Sequence, residues 1–309
     1  MAPRYASAEQ APTPVIGVLD SSAATALKFS AFYDGLKVEG FSRNQNLAVE
    51  YHSAEGDFAR LPKLAADLVT RRVSLITALG SPAALAAKAA TASIPIVFAI
   101  DSNPTAIGLV ASLNRPGANI AGVAGMAVAR DQKRLELLRA VIPAASVFGF
   151  LINPQNPNQD AQIKDALAAA QESGVQIKLV RASTGPDLGN VFVQLAQSQA
   201  AGLVIADDEF FLGASGELGS LAARHSMPAV FQGAAFATAG GLLSYGSRLA
   251  ELYHQAGAYS GLVLAGAVPA ELPIYQVTRT ETIVNLKSAK SLGIVLPQAI
   301  IDQANTVIR

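Results

Sequence analysis

The chain has 309 residues, of which 51% are hydrophobic and 15% charged, with 23 basic and 23 acidic side chains. A net charge of zero excludes a global field that attracts nucleic acid or an anionic membrane, so no nucleic-acid partner is expected. The densest basic pairs, Arg71-Arg72 and Lys133-Arg134, are interpreted as solvated surface. The absence of cysteine excludes disulfides, thiolate metal sites and a cysteine nucleophile.

The N-terminal stretch "MAPRYASAEQAPTP" is polar and has no apolar core segment, so it is not interpreted as a signal peptide. Such a stretch is typical of the N-terminus of a mature exported protein to which a methionine has been added. The alternative is an ordinary frayed terminus. No apolar run reaches the roughly 18 residues that are needed to span a bilayer.

From Thr13 onward, short apolar runs rich in β-branched residues alternate with segments of helical spacing. The predicted strands of the first half are "TPVIGVLD", "NLAVEYH", "SLITAL", "IPIVFAI" and "NIAGVAG". The helices predicted between them are "TALKFSAFYDGLKVEG", "DFARLPKLAADLVTRR" and "SPAALAAKAA". Strands of this kind, alternating with helices, predict a parallel, doubly wound α/β sheet.

The second half repeats this plan at a spacing of about 130 residues, far longer than the roughly 20–50-residue period of a solenoid. For example, "MPAVFQG" repeats "IPIVFAI", with Pro228 against Pro95 and Phe231 against Phe98. The repeat predicts two Rossmann-like lobes with parallel sheets and a cleft between them. The predicted division is 13–124 plus 246–275 for lobe 1 and 125–245 plus 276–309 for lobe 2, with crossing segments near 124, 245 and 276.

Ligands of open α/β sheets bind beyond the carboxyl ends of the strands, so two facing lobes would line one cleft with equivalent loops. The candidate ligand-binding residues lie in those loops. They are Ser21, Ser81, Pro82, Ala83, Asp101, Asn103, Asn153, Asp208, Phe210, Phe231 and Tyr245.

The loop that contains Ser81 and Pro82 is predicted to start a helix, with these residues at the N-cap and N1 positions. The free N–H groups of that helix, from Ala83 onward, suit a ligand carboxylate, although plain capping explains Ser-Pro equally well. Asp101 or Asp208 would bind the ligand's ammonium group, although an aspartate after a strand also commonly caps a turn.

Adjacent side chains on an extended segment alternate in direction, so at most one of Asp207 and Asp208 is expected to face the ligand, and Asp208 is preferred. Phe210, Phe231 and Tyr245 are candidates for an apolar or stacking wall, with ordinary packing as the alternative.

No enzymatic constellation is found in the sequence. The three histidines have no metal-ligand spacing, and no Walker A sequence, GxSxG elbow or dinucleotide-binding fingerprint occurs. The run Asp207-Asp208-Glu209 is weak as a metal site because no second cluster accompanies it. We therefore expect no metal, no cofactor and no catalytic activity.

The chain resembles the ABC-transporter substrate-binding proteins of the tryptophan/tyrosine-type group, which have a type I periplasmic-binding fold. The resemblance covers nearly the whole chain after residue 13. The residues that carry it are "EYHSAEGDFARLPKLAADLV", "GSPAALAAKAATASIPIVFAI", "GLVASLNRPGANIAGV", "LINPQNPN", "AGGLLSYG" and "VNLKSAKSLGI".

The resemblance implies a monomer with two hinged lobes that captures a small polar solute for a membrane permease. An amino acid and an aromatic acid are among the candidate solutes. It also implies a periplasmic location, or the cell surface if the protein is lipid-anchored, although the export signal of the family is absent from this sequence. The alternatives are a ligand-sensing receptor module of the same fold and a two-domain α/β enzyme. The first needs a further domain and the second a catalytic constellation, so transport is preferred.

Overall fold

The computed structural model describes residues 13–126 and 130–309. The first twelve residues, interpreted above as the N-terminus of a mature exported protein, lie outside the described residues. The strands of the described part are β1 (Val15–Asp20), β2 (Ala48–Ser53), β3 (Leu75–Leu79), β4 (Ile96–Ile100), β5 (Ile120–Gly125), β6 (Val147–Ile152), β7 (Gln176–Arg181), β8 (Leu203–Ile205), β9 (Ala229–Phe231), β10 (Leu243–Ser247), β11 (Tyr275–Val277), β12 (Thr280–Asn285) and β13 (Thr306–Ile308).

The helices pack on the faces of the sheets that these strands form. They are α1 (Ala26–Val38), α2 (Leu61–Thr70), α3 (Ser81–Ala90), α4 (Arg130–Val141), α5 (Gln159–Ser173), α6 (Gly185–Gln197), α7 (Glu209–Gly213), α8 (Ser215–Arg224), α9 (Ala234–Thr238), α10 (Leu249–Leu264), α11 (Leu286–Ser291) and α12 (Gln298–Asp302). Across the described ranges, no helix combines the length and apolar character needed to cross a bilayer.

The strands form two separate sheets, with the orders β11-β5-β4-β3-β1-β2 and β13-β12-β10-β9-β8-β6-β7. Every residue of β3, β4 and β5 is buried, as expected for parallel strands that are covered by helices on both faces. The predicted fold class, α/β with two parallel-sheet lobes, is confirmed. We call the first sheet with its helices lobe 1 and the second lobe 2.

One strand departs from the parallel plan, because β12 pairs antiparallel with β10. Strand β11 is parallel to β5 and therefore ends at the carboxyl edge of its sheet. Two residues later the chain enters the second sheet from that same side, so β12 runs opposite to β10. Strand β13, which was not predicted, pairs with β12 at the edge of this sheet.

The chain passes between the two sheets three times: after β5, after β10, and between β11 and β12. Residues 127–129, at the first passage, lie outside the described residues. The lobe boundaries near 124, 245 and 276 stay a prediction. Helix α10, from late in the sequence, packs on α1 of lobe 1, and a Cβ at Gly35 or Gly257 would meet the backbone of the other helix.

A buried ion pair fixes the end of β1 to α1. Nζ of Lys28 lies 2.8 Å and 2.9 Å from the two carboxylate oxygens of Asp20, and it donates to Oγ of Ser22 at 2.6 Å. The Tyr51 hydroxyl donates to the same carboxylate at 3.0 Å. The side chains of Lys28 and Asp20 are only 3% and 0% exposed, so the charges are stabilised by each other and by these hydrogen bonds rather than by water.

Replacement of Lys28 by Met is expected to lower the free energy of unfolding by about 3–5 kcal/mol, because it leaves the Asp20 carboxylate buried without its cation. The measurement is urea denaturation followed by circular dichroism. The double variant Lys28→Met/Asp20→Asn is the control and should recover part of the loss. A single variant within about 1 kcal/mol of the parent would contradict the buried-pair interpretation.

Candidate ligand-binding site

A cleft of about 430 Å³ lies between the carboxyl ends of the two sheets, as predicted from the two-lobe plan. The predicted site residues that line it are Ser81, Pro82, Asp101, Asn103 and Asp208. Those that lie outside its lining are Ser21, Ala83, Asn153, Phe210, Phe231 and Tyr245. Asn103 is exposed at the rim, where its Oδ1 accepts from the backbone N–H of Thr105 at 3.0 Å.

The N-terminus of α3 differs from the prediction. Gly80, not Ser81, is the N-cap residue, and Pro82 is the second residue of the helix rather than the first. Gly80 has a φ of 93°, which favours glycine, and a Cβ there would lie 2.7 Å from Oγ of Ser21. The missing cap comes from that serine, whose Oγ accepts the N–H of Ala83 at 3.0 Å.

This arrangement leaves few donors for a carboxylate at the start of α3. Pro82 has no N–H, the N–H of Ala83 is bonded to Ser21, and the N–H of Ala84 is bonded to the carbonyl of Gly80 at 3.0 Å. Ser81 faces the cleft, but its hydroxyl lies 2.8 Å from the hydroxyl of Ser102. Carboxylate binding here stays a prediction, with Ser81 as its main remaining donor.

Asp208 is an internal capping residue. One carboxylate oxygen accepts the N–H groups of Phe210 and Phe211 at 2.9 Å and 3.2 Å, together with the side-chain amide of the fully buried Asn153 at 3.0 Å. The other accepts the side-chain amide of Asn156 at 2.8 Å. Burial raises the pKa of Asp208, and these hydrogen bonds oppose the rise. The preference for Asp208 over Asp207 as the ligand-facing carboxylate therefore loses its basis.

The predicted aromatic wall is not in the cleft. Phe231 is fully buried and packs edge-on against Phe236 with the ring centroids 5.8 Å apart. Phe210 lies beside Gly56 of the other lobe, in a second and smaller cavity. Tyr245 packs against the core of lobe 2. For these three side chains, packing is the better interpretation.

The sequence analysis missed Arg130, the residue that joins the two lobes. From the first turn of α4, its guanidinium donates to Oδ1 and the carbonyl of Asp101 at 3.0 Å and 2.7 Å, and to Oγ of Ser247 at 3.1 Å. Its Nε donates to Oδ2 of Asp207 at 2.7 Å. Asp101 follows β4 of lobe 1 and Asp207 follows β8 of lobe 2, so one buried cation bridges the strand ends of both sheets.

A second guanidinium completes a charged cluster. Arg134 is fully buried and donates to Asp207 at 2.6 Å and to Asp131 at 2.9 Å, so its assignment to a solvated basic pair was wrong. Burial raises the pKa of Asp101, and it raises that of Asp131 to about 6. At Asp207 burial also raises the pKa, but the two guanidiniums outweigh it and hold the pKa below its usual value.

Three buried acceptor atoms on residues that line the cleft have no hydrogen-bond partner within the described part of the chain. They are Oδ2 of Asp101, Oε1 of Gln162 and Oε1 of Gln232. Gln162 is oriented by its own amide group, which donates to the carbonyl of Asp207 at 2.7 Å. The side chain of Gln232 follows the end of β9, and the residue is 2% exposed.

Glu209 reaches across the cleft from lobe 2. A Cβ on Gly80 of lobe 1 would lie 2.7 Å from its Cγ, and the hydroxyl of Ser22 lies 3.5 Å from its carboxylate. Burial raises the pKa of Glu209 to about 8; Lys28 opposes the rise, while Asp20, Asp208 and Asp101 add to it. Asp207, Asp208 and Glu209 thus lie in three different environments, and no metal-binding group of His, Cys, Asp or Glu occurs in the described ranges.

The comparisons with known proteins agree with this architecture. The model of the family described as ABC transporter substrate binding protein matches residues 15–308. A curated tyrosine-binding protein of Clostridioides difficile (strain R20291) is 24% identical over 84% of this chain and 75% of its own length.

Two solved structures have a similar fold over 96% of this chain, each at 24% identity. A Streptococcus pneumoniae ABC domain in complex with L-Trp superposes with a TM-score of 0.87, over 100% of its own length. A ligand-free, open substrate binding protein from Clostridium difficile superposes with a TM-score of 0.65, over 99% of its length. The fold is that of type I periplasmic-binding proteins.

Ser21→Ala is expected to lower the free energy of unfolding by about 1–2 kcal/mol, because it removes the acceptor that caps α3 through the N–H of Ala83. Ser81→Ala, the matched variant, removes only a hydroxyl–hydroxyl contact and should cost about 0.5 kcal/mol. Urea denaturation of both variants measures the difference. A larger loss in Ser81→Ala would show that Ser81 is the cap after all.

Glu209 is expected to make stability depend on pH. Its pKa is higher in the folded state than its ordinary value, so its contribution is complete at acidic pH and is lost as the pH rises towards 8. Relative to Glu209→Gln, which stays neutral, the parent should lose about 1 kcal/mol or more between pH 5 and pH 8.5. Thermal unfolding across that range is the measurement.

The exposed residue Glu271 provides the matched control, since Glu271→Gln should leave the pH profile of unfolding unchanged. Parallel profiles for the parent and Glu209→Gln would refute the assignment of this pH dependence to Glu209.

Proposed function

The chain belongs to the ABC transporter substrate-binding protein family, and we propose on that basis that it is the extracytoplasmic solute-binding component of an ABC importer. It captures a small polar solute of the amino-acid type in the cleft between its lobes and presents it to a membrane permease. In this role it works as a monomer, either free in the periplasm or held at the cell surface by a lipid anchor.

The structural observation that carries this proposal is the set of buried, unpaired acceptors on residues that line the cleft between the lobes. Each unpaired buried acceptor destabilises the closed arrangement by about 1–3 kcal/mol. A solute that brings an ammonium group to Oδ2 of Asp101 removes part of that cost. Ligand binding would therefore favour closure of the lobes, because the carboxylate oxygen of Asp101 that closure buries would then have a hydrogen-bond donor.

The relatives support a solute of the amino-acid type and a lobe motion. One is called a tyrosine-binding protein and another was solved with L-Trp. The higher TM-score against the L-Trp complex than against the ligand-free open structure supports a closed arrangement of the lobes here. The three passages between the sheets would act as a hinge, so that the lobes close as rigid bodies.

The cluster around Arg130 supports a binding role rather than a catalytic one. Every carboxylate in it is bonded to Arg130 or Arg134. Such a network fixes the positions of the charges that a solute would meet. We expect the solute to leave the protein chemically unchanged, in keeping with the family.

The test is a thermal-shift screen of amino acids and other small polar solutes, followed by calorimetry of the best one. A solute at 100 times its dissociation constant should stabilise the folded protein by about 2.7 kcal/mol. Asp101→Asn should weaken its binding at least about tenfold, since a charge-assisted bond becomes a neutral one. Small-angle scattering should show a smaller radius of gyration with the solute than without it.

The matched control is Asp67→Asn, an exposed position on α2. It should leave the affinity unchanged. Steady conversion of the solute to a product would refute the proposal, and so would equal affinities for the parent and Asp101→Asn.

A further inference from the structure

The start of α7 presents one aromatic side chain of lobe 2 to lobe 1. The carboxylate of Asp208 accepts the N–H groups of Phe210 and Phe211 at 2.9 Å and 3.2 Å. The side-chain amides of Asn153 and Asn156 donate to the same carboxylate, and Phe211 is fully buried in the core of lobe 2. Hydrogen bonds and packing therefore fix the backbone that carries the half-buried ring of Phe210.

Phe210 meets lobe 1 at Gly56, in the loop after β2. A Cβ on Gly56 would lie 2.8 Å from Cδ2 of the ring, so the ring lies directly against the backbone of the glycine. The N–H of Gly56 donates to the carbonyl of Ser21 at 2.9 Å. The hydroxyl of Ser53 donates to the carbonyl of Ser22 at 2.8 Å. The loops after β1 and β2 are thus tied together, and they form one surface against which the ring packs.

This contact between the lobes lies outside the solute cleft. Phe210 and Gly56 line the second cavity, which has a volume of about 200 Å³ and is enclosed by residues of both lobes. Neither residue lines the larger cleft. The two polar contacts between the lobes, at Arg130 and Glu209, involve residues that do line it. Phe210 therefore contacts lobe 1 without taking part in the site where a solute would bind.

The contact also lies far from the passages between the sheets. The first passage follows β5, and the third follows β11, which lies beside β5 at one edge of the sheet of lobe 1. Gly56 follows β2, the strand at the opposite edge, with the order β5-β4-β3-β1-β2 between them. At roughly 4.8 Å per strand spacing, the ends of β5 and β2 are about 19 Å apart. A rotation of the lobes about the passages would therefore separate Gly56 from Phe210.

We propose that Phe210 and the surface around Gly56 form a latch, which stabilises the closed arrangement of the lobes to the same extent for every solute. The inference rests on the proposed function, because it concerns the closure of the same cleft. The affinity for a solute depends on the free energy of closure as well as on the contacts that the solute makes. Loss of the ring would make closure less favourable and leave those contacts unchanged. It should therefore weaken the binding of every solute by one common factor.

The first test is small-angle scattering of the full chain without added solute. Phe210→Ala should have a larger radius of gyration than the parent, because its lobes lose a contact that holds them together. The matched control is Phe58→Ala, which removes another half-buried ring, one that packs on the core of lobe 1. It should leave the radius of gyration unchanged. Equal radii for the parent and Phe210→Ala would overturn the proposal, whatever solute the protein binds.

The second test is isothermal calorimetry with L-tyrosine and L-tryptophan. Phe210→Ala should weaken the binding of both by about tenfold, and the ratio of the two affinities should stay that of the parent. Parent-like affinities would contradict the latch, and so would a different factor for each amino acid, since Phe210 would then contact the solute. If neither binds to the parent, the result counts against the amino-acid part of the proposed function, and the scattering comparison still decides on the latch.

A cysteine pair tests the contact without relying on the stability of Phe210→Ala, since Phe210 also packs on the core of lobe 2. A Cβ on Gly56 would lie 3.6 Å from Cβ of Phe210, and a disulfide needs roughly 3.5–4.5 Å between these atoms. The chain has no cysteine, so Gly56→Cys/Phe210→Cys can form only this bond within one molecule. The oxidised variant should have a smaller radius of gyration than the reduced one. Failure to form the disulfide, or equal radii in both states, would refute the latch.

Discussion

The bridge from Asp101 through Arg130 to Asp207 is the interaction on which the arrangement of this protein depends. It joins a strand end of one sheet to a strand end of the other through a single guanidinium that is 10% exposed. A cation in this position neutralises two carboxylates that would otherwise repel each other when the lobes approach. The lobes can therefore meet closely at the point where a bound solute would lie.

Many of the predicted ligand-binding groups are bonded within the protein. The loops after the strands are largely buried, and buried polar groups need partners. Ser21 caps a helix, Asn153 and Asp208 bond to each other, and Asp101 bonds to Arg130. Few buried acceptor atoms on the cleft residues remain without a hydrogen-bond partner. Those atoms mark the part of the cleft that is suited to a ligand.

The strands, the two-lobe plan and the position of the cleft could be predicted from the sequence, because continuous apolar runs and their repetition are local signals. The cap of α3 could not, since Ser21 lies 62 residues before Ala83 along the chain. The buried Arg134 follows the partly exposed Lys133 in the sequence, and the helix turns the two side chains to different faces. Strand β13 is three residues long, too short for a periodic pattern. The sequence analysis wrongly assigned Phe210, Phe231 and Tyr245 to the cleft. A position near the end of a strand does not show whether a side chain packs in the core or lines the cleft.

The order of the strands has a consequence for how the chain matures. Lobe 1 takes its sixth strand from residues Tyr275–Val277 and a covering helix from Leu249–Leu264, long after its first five strands. Lobe 2 takes the two strands at one end of its sheet, β12 and β13, from still later residues. Neither lobe can complete its sheet during synthesis until nearly all of the chain is available. Late, non-local pairing of this kind slows folding, so we expect both lobes to remain incompletely folded until the C-terminal segment has been synthesised.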